Sequence, residues 1–186
     1  MRTPRAATQA ATRSWPSGGE LARLGALLLV ALLLQTTVAP NIRVLGASPD
    51  FALIIVVCVA LLRGAETGAV FGFLTGTLVG VALLEPLGLS ALAFVVAGYF
   101  AGRYAETADL SAPVAPLVGV CAATLVANVL LATVQSLLER QVPLGFWLGR
   151  VLVPSLVLNT LLAAVFYLFV RRVLGGGKVL RADQTA

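Results

Sequence analysis

Apolar residues fall into six long runs, and polar residues, proline and glycine are concentrated between them. The runs cover residues 21–39, 49–62, 67–84, 88–102, 113–138 and 146–170. A helix rises about 1.5 Å per residue and needs about 20 residues to cross the hydrocarbon core of a bilayer. The first, fifth and sixth runs meet this length most securely. The pattern predicts an all-α, polytopic membrane protein with six transmembrane helices.

The second run is short, and its interpretation as a helix rests on the residues that flank it. Ser48 suits the N-cap of a helix, Pro49 its first position and Asp50 the positive end of the helix dipole. Arg63 and Gly64 close the other end. The alternative is a re-entrant hairpin formed by the second and third runs, which leaves the topology of the other helices unchanged.

The composition places these helices in a bilayer and leaves no room for a soluble domain. Of the 186 residues, 59% are hydrophobic and 11% are charged, with a mean hydropathy of +0.98, whereas soluble domains carry about 25% charged residues. We therefore predict one membrane domain at 21–172 between two basic cytoplasmic tails, 1–20 and 173–186, the first of them disordered. A cleaved signal peptide is the alternative for the first run, but the run is long and Pro40 directly follows the nearest processing-like site.

Basic residues lie mostly on one side of the predicted topology. With six helices, ten of the 13 Lys and Arg residues fall on the side that holds both termini, and three fall on the other. By the positive-inside rule both termini are cytoplasmic. These residues do not alternate with aromatic side chains, so the net charge of +5 indicates contact with anionic membrane lipid and not with nucleic acid.

Five glycines recur at every fourth position in and just before the third run. This glycine series consists of Gly64, Gly68, Gly72, Gly76 and Gly80. In water each interior glycine costs a helix about 1 kcal/mol relative to alanine, but inside lipid small residues four apart let two helix backbones approach closely. Each glycine is turned about 40° beyond the one before, so one neighbouring helix touches about three of them. The others then face a second helix or an external partner.

The following runs carry similar series. The alanine series of the fourth run consists of Ala93, Ala97, Ala101 and Ala105, with Gly98 and Gly102 beside it. Because the third and fourth runs are joined by a tight connection, their helices are predicted to be antiparallel neighbours that pack backbone to backbone. A third series occurs in the fifth run at Ala115, Gly119, Ala123 and Ala127. Helices three to five are therefore predicted to form the centre of the bundle.

Residue types that carry catalysis or bind metals are scarce. The chain has no histidine, its cysteines Cys58 and Cys121 lie within apolar runs, and its charged residues lie near the ends of runs. This pattern predicts no enzyme, no metal site and no cofactor. Asn128 and Asn159 lie about halfway along their runs, where an amide needs a hydrogen-bond partner. We expect interhelical hydrogen bonds there; lining a substrate cavity is the alternative.

Several segments occur in an order that resembles one protein family. They are LLLQTTVAPNIRVLG, SPDFALIIVV, GAVFGFLTGTLVGVALLEPLG, LSALAFVVAGYFAGRY and VLVPSLVLNTLLAAVFYLFVRR. Between about residues 21 and 172 the chain is similar to the rod shape-determining membrane protein MreD family, most specifically at Pro49-Asp50 and at Gly72-Phe73 with Gly76. One position departs from the family, whose members often have an aspartate where this chain has Gly80. Any role of a carboxylate at that depth is therefore in doubt.

The resemblance implies a non-catalytic subunit of the bacterial cell-elongation complex in the cytoplasmic membrane. Its implied partner is MreC, a single-span protein, and through MreC the RodA glycosyltransferase, a class B penicillin-binding protein and the MreB cytoskeleton. The resemblance also implies the six-helix fold of the vitamin-binding subunits of energy-coupling-factor transporters. That fold supplies the alternative function, a substrate-binding transporter subunit, for which Ala22 and Ala26 form a small-residue pair suited to a coupling subunit. The sequence leaves open whether copies of the chain associate.

Overall fold

The regular structure of the chain is helical throughout the part that is described. The computed structural model describes residues 18–42, 47–86, 88–108, 114–137 and 152–175. The helices are α1 (Gly18–Leu33), α2 (Phe51–Arg63), α3 (Ala65–Ala82), α4 (Leu89–Thr107), α5 (Ala115–Leu137) and α6 (Val153–Val173). A π-helical turn, Leu34–Val38, and a 3₁₀ turn, Ala39–Asn41, prolong α1. The all-α prediction is confirmed, and the described part of each apolar run contains one α-helix.

Four stretches of the described chain are long and apolar enough to cross a bilayer. They are Gly18–Asn41, Ala65–Ala82, Ala115–Val134 and Val153–Val173. α2 is apolar but has only 13 residues, about 20 Å of helix, and α4 is not among the four. Six full spans therefore stay a prediction as far as α2 and α4 are concerned.

α2 occupies the centre of the bundle. All twelve residues from Phe51 to Leu62 are buried. A helix that is apolar on every side is stable either inside a protein or in contact with lipid, and here the longer helices around α2 cover it on every side. The prediction that α3, α4 and α5 form the centre is wrong, since they surround α2 together with α6 and α1.

The surrounding helices follow chain order. α3 packs on α4, α4 on α5 and α5 on α6, while α1 packs on α2 and α3. α1 and α6 make no comparable contact, and an apolar groove lies between them. This α1–α6 groove is lined by Val30, Leu34, Val165, Phe166 and Phe169.

The helix ends differ slightly from the predicted domain boundaries. α1 begins at Gly18, so 18–20 are helical and do not belong to a disordered tail. α6 runs to Val173, one residue beyond the predicted end of the membrane domain. The rest of the two predicted tails, 1–17 and 176–186, lies outside the described residues.

Candidate helix interface and polar junction

α4 lies directly against three consecutive members of the glycine series. A Cβ atom added to Gly76 would lie 2.6 Å from the Ala91 Cα atom, and one added to Gly72 would overlap the Phe94 carbonyl group. Carbon atoms in van der Waals contact are about 3.5–4.0 Å apart, so not even an alanine methyl group fits at either position. Gly68 meets the α4 backbone in the same way. The two helices therefore touch through their backbones.

α4 contributes glycines of its own to this contact. A Cβ atom on Gly68 would lie 2.7 Å from the Gly98 carbonyl oxygen, and one on Gly98 would overlap the Gly68 carbonyl group. Gly102 faces the backbone of Ala65 at the start of α3. The α4 backbone atoms that face Gly68, Gly72 and Gly76 thus belong to positions beside the alanine series, while the Ala60 Cβ atom of α2 also lies against Gly68. Its members Ala93, Ala97, Ala101 and Ala105 are buried in the hydrophobic core.

Gly64 has a different structural role from the rest of the glycine series, because it connects two helices. It lies between α2 and α3 with φ +89° and ψ 176°, a conformation that essentially only glycine adopts. Its N–H donates to the Ala60 carbonyl (2.8 Å), and its carbonyl accepts from the Gly68 N–H (3.0 Å). A single residue therefore ends one helix and starts the next.

Gly80 has room for a side chain, unlike the three glycines that touch the α4 backbone. A Cβ atom there would lie 3.9 Å from the Ser90 Cβ atom, an ordinary van der Waals distance. Beyond the end of α3 the chain folds back, and the Glu85 N–H donates to the Gly80 carbonyl (2.9 Å). The Glu85 carboxylate accepts a hydrogen bond from the Ser90 hydroxyl. The fold thus brings a carboxylate close to Gly80, which the sequence spacing alone did not indicate.

Polar groups from α1 and α6 meet the N-terminus of α2, and we call this arrangement the polar junction. The Asp50 carboxylate accepts a hydrogen bond from the Leu53 N–H (3.0 Å). Asn159 Oδ1 accepts one from the Asp50 N–H (3.0 Å), and Gln35 Oε1 accepts one from the Ala52 N–H (3.2 Å). A helix N-terminus leaves such N–H groups without partners in its own helix. The junction supplies partners for N–H groups that are at least partly buried.

The two mid-run asparagines have different roles. Asn159 is fully buried, and its Nδ2 donates to Thr124 Oγ1 on α5 (3.4 Å), so its amide connects α6 with α5 and α2. Asn128 is half-buried, and its Nδ2 donates to the Thr124 carbonyl of its own helix (2.9 Å). An interhelical hydrogen bond is therefore present at Asn159, while the bond found at Asn128 is local.

Asp50 caps α2, and the predicted N-cap Ser48 does not. The helix begins at Phe51, and the bond from Leu53 to the Asp50 carboxylate is the one that an N-cap side chain makes. Ser48 is exposed, and Pro49 precedes the cap instead of opening the helix. A carboxylate two residues later competes better for the free N–H groups, because it carries a full negative charge at the positive end of the helix dipole.

Arginine and glutamate side chains tie helix ends together at the opposite end of the bundle. Arg63, at the end of α2, forms an ion pair with Glu20 of α1 and donates from Nη2 to the Leu174 carbonyl after α6 (3.3 Å). Arg103 pairs with Glu106 on α4 (2.5 Å), and Glu106 also accepts from the first N–H of α3 (3.5 Å). These partly exposed pairs are individually weak. The bonds of Arg63 join α2 to α1 and to the end of α6, and the Glu106 carboxylate joins α4 to the start of α3.

The family model of the rod shape-determining protein MreD matches residues 21–175, most of the chain. The chain belongs to the MreD family. This confirms the resemblance seen in the sequence and makes the chain a rod shape-determining membrane protein. No curated protein and no solved structure gives a match.

For this member of the MreD family, sequence reasoning missed the most enclosed element. α2 had the least secure run, and its apolar side chains on every face are as typical of a helix in contact with lipid as of a buried one. Gln35 and Thr124, which complete the polar junction, carried only the weak signal of polar residues within apolar runs. Within the described ranges no three His, Cys, Asp or Glu side chains form a group suited to a metal ion.

Proposed function

We propose that this protein is a non-catalytic subunit of the bacterial cell-elongation complex that binds MreC and helps to organise peptidoglycan synthesis. The observation that carries the proposal is the family match over residues 21–175. MreD proteins work with MreC in the rod complex. Through MreC the protein connects to RodA, a class B penicillin-binding protein and MreB.

The buried glycines suit a role within the protein better than a role in partner binding. Gly68, Gly72 and Gly76 have no room for a further helix, because α4 already lies against them. We therefore assign these glycines and the alanines 93, 97 and 101 to internal packing. The partner helix needs another surface.

The outward face of α1 is the surface that best suits a partner helix. Only 11% of the α1 span is buried, against 28–44% in the other three candidate spans. Ala22, Gly25 and Ala26 are exposed there, and nothing lies within 4 Å of a Cβ atom added to Gly25. Small residues on an exposed helix face allow close approach of a second transmembrane helix.

Copurification of tagged MreC with the full-length chain tests this surface. The double variant Ala22→Leu, Ala26→Leu should lower MreC recovery about tenfold, which corresponds to about 1.4 kcal/mol of binding free energy. Ala164→Leu is the matched control, since Ala164 is an exposed small residue on α6. Full recovery with the double variant, or an equal loss with the control, would contradict the α1 surface. If the wild-type chain does not recover MreC, the proposed function as an MreC-binding subunit is contradicted.

The orientation and wider fold kinship belong to the same proposal. Arg63, Arg103 and Arg171 lie at one end of the bundle, which supports a cytoplasmic location of that end and of both termini. Reporter fusions at residues 1 and 186 should both report the cytoplasm. We also propose kinship with the six-helix vitamin-binding subunits, but not their activity. The polar groups at the start of α2 bond one another and the backbone, which favours a structural subunit over a vitamin-binding one.

A further inference from the structure

We propose that the α1–α6 groove is a binding site for one anionic phospholipid, with an acyl chain in the groove and the phosphate between Arg23 and Arg172. The groove has a volume of about 240 Å³ and is lined only by the apolar side chains of Val30, Leu34, Val165, Phe166 and Phe169. The groove borders the outward face of α1, because Val30 follows Ala26 by about one turn, but its second wall belongs to α6.

Both walls of the groove lead to an arginine at the same end of the bundle. Arg23 precedes Val30 by seven residues, and Arg172 follows Val165 by seven. Seven residues make almost two full turns, so each arginine lies on the groove side of its helix, about 10 Å from the apolar residue. An apolar groove that ends at two arginines matches an anionic phospholipid, whose acyl chain is apolar and whose phosphate is negatively charged.

The Arg23 guanidinium already reaches across to α6. Its Nη1 atom lies 2.9 Å from where a Cβ atom of Gly175 would be, just after the end of α6. Glu20 neutralises Arg63 nearby, whereas no carboxylate in the described ranges pairs with Arg23 or Arg172. Gly175 follows Arg172 by three residues, so a phosphate beside the Arg23 guanidinium is also close to the end of α6 that carries Arg172. Basic pockets between transmembrane helices are a known way to bind anionic headgroups.

The side chains that line the groove favour an acyl chain over a partner helix. Helix partners in lipid approach over small residues, and the groove lining has none. An extended acyl chain is only one methylene group wide, and Val and Phe side chains offer it dispersion contacts along its length.

Native mass spectrometry of the full-length protein, titrated with phosphatidylglycerol or phosphatidylcholine of equal chain length, tests the site. An arginine beside an anionic headgroup is worth about a fivefold change in binding. We expect Arg23→Gln and Arg172→Gln each to weaken phosphatidylglycerol binding about fivefold, and the double variant about 25-fold. Phosphatidylcholine should bind the wild type about as weakly as phosphatidylglycerol binds the double variant.

Matched variants separate a specific site from general attraction to a charged surface. Arg171 lies one position away on another side of α6, so Arg171→Gln removes the same charge and should leave phosphatidylglycerol binding unchanged. Val165→Trp fills the groove without changing charge and should weaken binding, whereas Leu168→Trp, outside the groove, should not. Arg23→Lys and Arg172→Lys keep the positive charge and should bind phosphatidylglycerol normally. If a glutamine variant does not fold, normal binding by these lysine variants supports the role of the charge.

Three results would overturn the proposal. Equal binding of the two lipids would remove the role of the phosphate. An equal loss with Arg171→Gln and Arg172→Gln would indicate diffuse electrostatics. Normal lipid binding by Val165→Trp, together with crosslinking of Val165→Cys to a single-span protein in membranes, would assign the groove to a partner helix.

Discussion

The carbonyl group of Phe94 on α4 occupies the space in which a side chain at Gly72 on α3 would begin. This contact leaves no room for adjustment, because both surfaces are helix backbone. It fixes how deeply α3 and α4 pack against each other. Close packing of this kind holds α3 and α4 together, since hydrophobic association does not join helices within lipid.

Gly72→Ala should therefore destabilise the protein although it raises helix propensity. Overpacking of a tight interface costs about 1–3 kcal/mol, which exceeds the gain of about 1 kcal/mol from replacing glycine. Gly25→Ala is the matched control, because its Cβ atom meets nothing within 4 Å; it should be neutral or slightly stabilising. Circular dichroism during titration with a denaturing detergent measures both. Equal stability of the two variants would show that α3 and α4 are not in backbone contact.

The two asparagines offer a second matched pair. Asn159→Leu should lower the free energy of unfolding by about 1–3 kcal/mol, because it removes a fully buried amide and leaves the partly buried Asp50 N–H without its partner. Asn128→Leu should have little effect, since its amide bonds only a carbonyl of its own helix. The same detergent titration compares them. A larger effect at Asn128 would contradict the placement of the polar junction.

Removal of Arg63 should loosen the attachment of α1. Arg63→Gln loses the ion pair with Glu20 and weakens the bond to the Leu174 carbonyl, and because both side chains are partly exposed we expect a cost of about 1 kcal/mol. Hydrogen exchange should rise at the start of α1 and at the end of α6.

Two further variants provide the controls for Arg63. Arg103→Gln removes an equal charge from a pair confined to α4 and should leave exchange in α1 unchanged. The swap Glu20→Arg, Arg63→Glu should restore much of the protection. If the swap behaves like the single variant, the ion pair does not hold α1.

The native cysteines test the central position of α2 without any new residue. Cys58 on α2 is fully buried, whereas Cys121 on α5 is half-buried. A lipid-soluble maleimide should label Cys121 in the folded protein and Cys58 only after unfolding in denaturing detergent. Mass spectrometry counts the labels, and the variants Cys58→Ala and Cys121→Ala assign them. Rapid labelling of Cys58 in the folded protein would place α2 at the surface.

The sequence was informative where a local rule applies. The 40° advance between glycines limits contact with one neighbour to about three, and α4 meets Gly68, Gly72 and Gly76. The cap of α2 was harder to predict, since Ser48, Pro49 and Asp50 all suit a helix start. Only the bond from Leu53 to Asp50 shows which of them ends the loop.

The sequence by itself determined that this protein is a bundle of apolar helices, because hydrophobic runs of helical length are a property of neighbouring residues. It also determined where close helix contacts are feasible, since only glycine and alanine leave the backbone accessible. Tertiary structure alone decided that α2 is the centre and that Asn159, not Asn128, joins the helices. The reason is that burial depends on which helix faces pack against each other. Those contacts join residues that are distant in the chain, such as Asp50 and Asn159.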